Sequence, residues 1–125
     1  MSDAAAMPIQ TVRETLHLLG YLNARYGRPE RAIGYFELMT VIDAMSATAW
    51  RTLATIQLSL GKNSEAAASA DKALELGLSP SEEPLCHLVA ALAAKRLGDE
   101  MKSAAQAEKF LRAKEYGVQF EEGMP

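Results

Sequence analysis

The sequence predicts an all-α chain built as a tandem array of three helix pairs. The first observation behind this is an echo at 34 residues. Gly27 and Gly61, Leu19 and Leu53, Gly20 and Ala54, and Ala32 and Ala66 each stand 34 positions apart, and a fixed period of that length marks a helix-turn-helix repeat. A weaker third copy surrounds Gly98, displaced by three further residues. The second observation is composition. Of the 125 residues 49% are hydrophobic but only 6% aromatic, so aliphatic residues and alanine dominate, and these lose little entropy in a helix. The third is periodicity: apolar spacing is helical throughout, and no segment alternates over a strand's length.

Each element follows in order. The first helix is expected from Ile9 or Gln10 to Tyr26, with Leu16, Leu19, Tyr21, Leu22 and Tyr26 as its apolar residues. Gly27 stops it by taking the left-handed conformation, and Pro29 opens the second, where its missing N–H costs nothing. That helix carries Ala32, Ile33, Phe36, Met39 and Val41 or Ile42, and ends near Asp43. Ser46 or Thr48 caps the third, which carries Trp50, Leu53, Ala54, Ile56, Leu58 and Leu60 up to Gly61. Asn63 or Ser64 begins the fourth, which runs through Ala66, Ala67, Ala70, Ala73, Leu74 and Leu76 to Gly77. Ser79 to Pro84 reads as a turn that supplies the three extra residues, with acidic residues favourable to the next helix dipole. The fifth helix spans Leu85 to Leu97, Gly98 ends it, and Asp99 caps a sixth from about Glu100 to Glu115.

One domain over residues 10–116 is expected, between a flexible amino terminus (1–9) and an acidic tail (117–125). Tyr116, Val118 and Phe120 leave two outcomes open for the segment from Tyr116: folding back into the groove, or mobility. A formal charge of −3 and the lack of a Lys/Arg cluster argue against nucleic acid as a partner. A single cysteine, Cys86, rules out an intrachain disulfide and fits a reducing cytosol. The amino terminus lacks the basic start and leucine-rich core of a signal peptide. The longest apolar stretch, Leu85 to Ala94, falls short of the roughly 20 residues of a membrane span. A cytoplasmic protein without membrane insertion is expected.

Catalytic chemistry is not legible. Neither His17 nor His87 has a cysteine, histidine or carboxylate at a convincing ligand spacing, and Cys86 and His87, as neighbours, diverge by about 100° on a helix. Cys86 reads as a buried structural residue. The glycines lie in or between helices with no preceding strand, which excludes a phosphate loop. The expectation is a non-enzyme with no cofactor and no metal.

The pattern resembles the tetratricopeptide repeat over about residues 12 to 116. That family places a large residue, then Leu-Gly or Leu-Ala, on the first helix of each pair; this chain offers Leu16 with Leu19-Gly20, Trp50 with Leu53-Ala54, and His87 with Ala90-Ala91. On the second helix it places alanine and then an aromatic four residues on. Ala32 with Phe36 fits fully, while Ala66 with Ala70 and Ser103 with Ala107 fit in size. Asn23, Gln57 and Ala94 depart from a usual tyrosine, and the closing proline is missing after Asp43. The Leu19-Gly20-Tyr21-Leu22 entry and Gly27-Arg28-Pro29-Glu30-Arg31-Ala32 are similar to small YscY-type (SctY) chaperones of bacterial type III secretion. That group binds a small secreted partner and contacts the export gate. A general repeat scaffold and the larger chaperones of translocator proteins share the same plan.

The resemblance implies a concave face lined by the first helix of each pair, receiving a protein or peptide client. Its lining would be Glu14, His17, Tyr21 and Arg25, then Arg51, Thr55 and Leu58, then Leu85, Leu88, Leu92, Lys95 and Arg96, with Ala24, Thr48 and Ser59 beside them. Leucines with positive charges suit an amphipathic peptide. The same leucines also fit an ordinary core face, and Arg25 and Arg51 also read as solvated charges. Val12, Leu16 and Leu19 lack an earlier repeat to cover them, which points to a partner subunit or a second copy of the chain.

Overall fold

The computed structural model describes the backbone of residues 8–122 and the side chains of residues 8–115. Six helices follow one another: α1 (Ile9–Tyr26), α2 (Pro29–Ile42), α3 (Ala47–Ser59), α4 (Asn63–Leu76), α5 (Glu83–Arg96) and α6 (Glu100–Glu122). There is no strand among the described residues, and adjacent helices pack as pairs, α1 with α2, α3 with α4 and α5 with α6. The contacts group into two compact units divided between Ala44 and Met45, where the sequence had suggested one body over residues 10–116. Within the first unit α2 buries Ala32, Ile33, Phe36 and Met39 but leaves Leu38 and Val41 exposed.

In the first unit the α1–α2 approach turns on Gly20. A Cβ placed there would lie 2.5 Å from Cε2 of Phe36, whose ring is almost wholly buried. The small residue of Leu19-Gly20 thus meets the ring of Ala32-x-x-x-Phe36. Arg13 reaches across to Asp43, the residue that ends α2, at 2.6 Å. Gly27 does not adopt the expected left-handed conformation: its φ is −119°. The link to Pro29 is only two residues long, and proline holds Arg28 extended at φ −110°, ψ 113°. Gly27 instead donates its N–H to the Asn23 carbonyl. Positive-φ glycines do follow α3, α4 and α5, at Gly61, Gly77 and Gly98.

The second unit is an alanine core. Ala54, Ala66, Ala70, Ala73, Ala90 and Ala93 are fully enclosed together with Cys86, and Ala67, Val89 and Leu58 complete the cluster. Such short side chains let α3, α4 and α5 pack closely. Gln57, where the repeat family usually has tyrosine, is buried and accepts a hydrogen bond from Ser69 Oγ at 2.7 Å, a polar link between α3 and α4. Ser103, standing for alanine on α6, donates to the Ala91 carbonyl at 2.9 Å. Two caps behave as the sequence suggests: Ser46 Oγ accepts from the Ala49 N–H, and Asp99 Oδ1 from the Lys102 N–H.

Two boundaries differ from expectation. α5 starts at Glu83 because Pro84 sits in its first turn, where proline is tolerated. α6 continues to Glu122, since no glycine or proline interrupts it until Gly117, and a single glycine is a weak breaker. Whether Tyr116, Val118 and Phe120 occupy a groove lies outside the described side chains, as do residues 1–7.

Gly20→Ala is expected to destabilise the chain by about 1–3 kcal/mol, the range for overpacking a closed contact. Gly34→Ala, with no atom within 4 Å of the added methyl, is expected to stabilise by about 0.5–1 kcal/mol through helix propensity; urea unfolding of both variants reads the difference. Burial pushes the Cys86 thiol up from 9.0 to about 11, and its Sγ donates to the Ala70 carbonyl. The native thiol should therefore resist a disulfide reagent at pH 8 and react only on unfolding. Because the unfolded thiol ionises first, its contribution to stability falls as pH rises from about 9 towards 11. Urea midpoints across that range, compared with Cys86→Ala, isolate the effect.

Candidate protein-binding face

The residues of the expected face fall on both units and are described on each by itself. In the first, Glu14, His17, Tyr21 and Arg25 share one side of α1 and all are exposed. Glu14 accepts from Gln10, and His17 sets its ring edge-on to Phe36 at 5.6 Å. The Arg25 guanidinium lies over the Tyr26 ring. Leu18, Leu19, Leu22 and Tyr26 are exposed as well; of these the sequence had left Leu19 without a repeat to cover it. Only Leu16 and Gly20 of α1 are buried: within its unit α1 packs on α2, which covers one stripe.

The second unit builds a more ordered face from α3 and α5. These helices lie side by side and parallel, clipped at both ends. At the start, Thr48 Oγ1 donates to the Glu82 carboxylate at 3.1 and 3.2 Å. At the far end, Arg96 donates to the Leu58 carbonyl at 3.0 Å. α5 is surrounded on most of its circumference, with Cys86, His87, Val89, Ala90, Ala91, Ala93 and Ala94 all buried. At about 100° per residue, its one open arc holds Leu85, Leu88, Leu92, Lys95 and Arg96. Leu85 and Leu92 are 41% and 39% exposed, and Leu88 is half-buried. An outward arc is ordinarily polar; here three of its members are leucine.

α3 contributes a polar strip beside it. Thr48 and Ser59 are exposed, and Arg51, Thr52 and Thr55 half-buried. The threonine hydroxyls of Thr52 and Thr55 donate to carbonyls one turn back, which spends their donors within the helix. Arg51 Nε is buried with no hydrogen-bond partner, and its Nη2 reaches only Thr52 Oγ1 at 3.4 Å. Leu58 corrects the expectation: its side chain packs into the core cluster among the alanines of α3, α4 and α5, and its carbonyl accepts from Arg96. The face thus keeps Leu85, Leu88, Leu92, Arg51, Thr55, Lys95 and Arg96 of the expected set.

Sequence reasoning missed the surroundings of His87. Its Nδ1 lies 2.8 Å from Gln106 Oε1 and its Nε2 3.2 Å from Glu83 Oε1. The i, i+4 spacing of Glu83 and His87 was available as a signal; the α6 partner was not. This cluster borders a cavity of about 710 Å³ on the α4, α5 and α6 side, lined also by Asp71, Leu74, Glu75, Lys109 and Arg112. Among the described residues no group of acidic, histidine or cysteine side chains could hold a metal ion, and no helix is long and apolar enough to cross a membrane.

Leu92→Glu is expected to leave helicity by circular dichroism intact and shift stability by less than about 1 kcal/mol, as for a surface change. Val89→Glu, on the enclosed side of the same helix, should cost about 3 kcal/mol or more through an unpaired buried carboxylate. Equal losses in the two would place Leu92 in the core. No family model matches the chain, and no curated protein matches it.

Proposed function

We propose that this protein is a non-enzymatic, cytoplasmic protein-binding chaperone that holds a small export subunit of bacterial type III secretion. The observation that carries the protein-binding reading is the open arc of α5, where Leu85, Leu88 and Leu92 stand in place of polar residues. Apolar surface concentrated on a helix arc and bordered by polar groups is the hallmark of a docking site for another chain. The end clips from Thr48 and Arg96 fix α3 and α5 before a client arrives, so less ordering entropy is lost on association. Covering the remaining surface of Leu85 and Leu92 contributes on the order of 1 kcal/mol each. The assignment to type III secretion is supported by the resemblance carried by Leu16, Leu19-Gly20, Ala32 with Phe36, and Gly27 to Ala32. The client is a protein, and contact with the export gate belongs to the same proposal.

The test is native co-purification from the producing bacterium with size-exclusion and light scattering, run beside Leu88→Glu/Leu92→Glu. One small stoichiometric partner that raises the thermal midpoint, and is lost in the folded double variant, is the expected result. A stable bare monomer, or several substoichiometric partners indifferent to the substitution, would make the chain a general scaffold instead.

A further inference from the structure

We infer that the α3/α5 face takes an acidic amphipathic helix, its apolar residues on the leucine arc and its carboxylates toward Arg51, Lys95 and Arg96. This rests on the protein-binding reading and adds the chemistry of the partner.

The second unit sorts its charges by helix. α3 has no acidic residue at all, and α5 has one, Glu83, in its first turn. α4 carries Glu65, Asp71 and Glu75 against one lysine, Lys72. An overall charge of −3 therefore hides a face whose ionic groups, beyond the α5 amino terminus, are all cations. Among the described residues none of Arg51, Lys95 and Arg96 forms an ion pair, while Lys102 pairs with Asp71 and Arg112 with Glu108 elsewhere in the same unit. The Arg51 guanidinium makes one long contact, from Nη2 to Thr52 Oγ1 at 3.4 Å, which leaves Nη donors for an incoming carboxylate oxygen. Leu85, Leu88 and Leu92 follow the i, i+3, i+7 spacing with which helices interdigitate. From Leu85 to Arg96 the face runs about 16 Å at 1.5 Å per residue, the length of roughly three turns. An apolar helix flanked by basic residues would set like charges against the cations, so the face discriminates by sign as well as by fit.

The experiment uses the full chain and two labelled synthetic helices matched in length to α5. They share one leucine pattern; one carries glutamates on its flanks, the other lysines. Fluorescence anisotropy is read at low and physiological salt for the parent, Lys95→Glu, Arg51→Gln, Leu92→Glu and Lys109→Glu, with circular dichroism on each. Lys109→Glu makes the same net charge change on α6. Arg96 is left in place because it holds the Leu58 carbonyl.

The expected result is binding of the glutamate helix at least about tenfold tighter than the lysine helix, a preference that shrinks as salt rises. Lys95→Glu should cut that preference below about threefold, Arg51→Gln should weaken the glutamate helix, and Lys109→Glu should leave both nearly unchanged. Leu92→Glu should weaken both helices. Equal binding of the two helices overturns the charge inference and leaves the protein-binding reading standing. Failure of both to bind a folded parent overturns the inference too, and co-purification then decides the reading by itself. A duplex DNA that binds as tightly as the glutamate helix, indifferent to Leu92→Glu, would also overturn it.

Discussion

Close approach between helices, made through residues with little or no side chain, is the constraint on which this molecule rests. In the first unit Gly20 admits the Phe36 ring against the α1 backbone. In the second, six alanines with no exposed surface occupy the contacts among α3, α4 and α5. A core so poor in aromatic mass gains little from any one side chain, since burial energy scales with apolar area. It compensates by dense contact along whole helices, where dispersion accumulates over many small pairs. The buried polar links fit the same geometry. Gln57 to Ser69 and Ser103 to the Ala91 carbonyl each satisfy a group that close packing has removed from water.

That packing leaves the face proposed for binding as a by-product of enclosure. Because α5 touches α3, α4 and α6, seven of its residues are buried and only one arc remains. The leucines on that arc leave part of their apolar area exposed, which is the feature on which the proposed binding role rests. The clips at the two ends of the α3–α5 pair hold the arc in register with the threonines and Arg51. A partner then meets a preorganised strip, which favours affinity by limiting the order that must be created on binding.

Much of this was legible in the residues, and the failures have physical causes. A small residue at Gly20 and an aromatic at Phe36 were legible through the resemblance to the repeat family, while the structure supplied the contact between them. The caps at Ser46 and Asp99 were legible because capping is a local hydrogen bond between near neighbours. Gly27 was misread, since its conformation is set by Pro29 two residues on rather than by glycine's own freedom. Leu58 was misread as a contact residue: a leucine at the border of two helix faces goes wherever its neighbours leave room. Leu19, which the sequence left without a covering repeat, is exposed, and so are Leu22 and Tyr26, since a helix with one partner helix in its unit buries only one stripe.

The sequence by itself determined the helices, their order and most of their ends, because propensity, capping and period 3.6 act within a few residues. It also determined the charge difference between α3 and α4, which is a matter of composition. Only the tertiary structure decided which arc of α5 faces outward, that Arg96 ties down the end of α3, and that His87 meets Gln106 on α6. Those outcomes depend on which helices become neighbours and at what distance. Neighbourhood is set by the summed packing of all the small residues at once, and no local stretch of chain contains that sum.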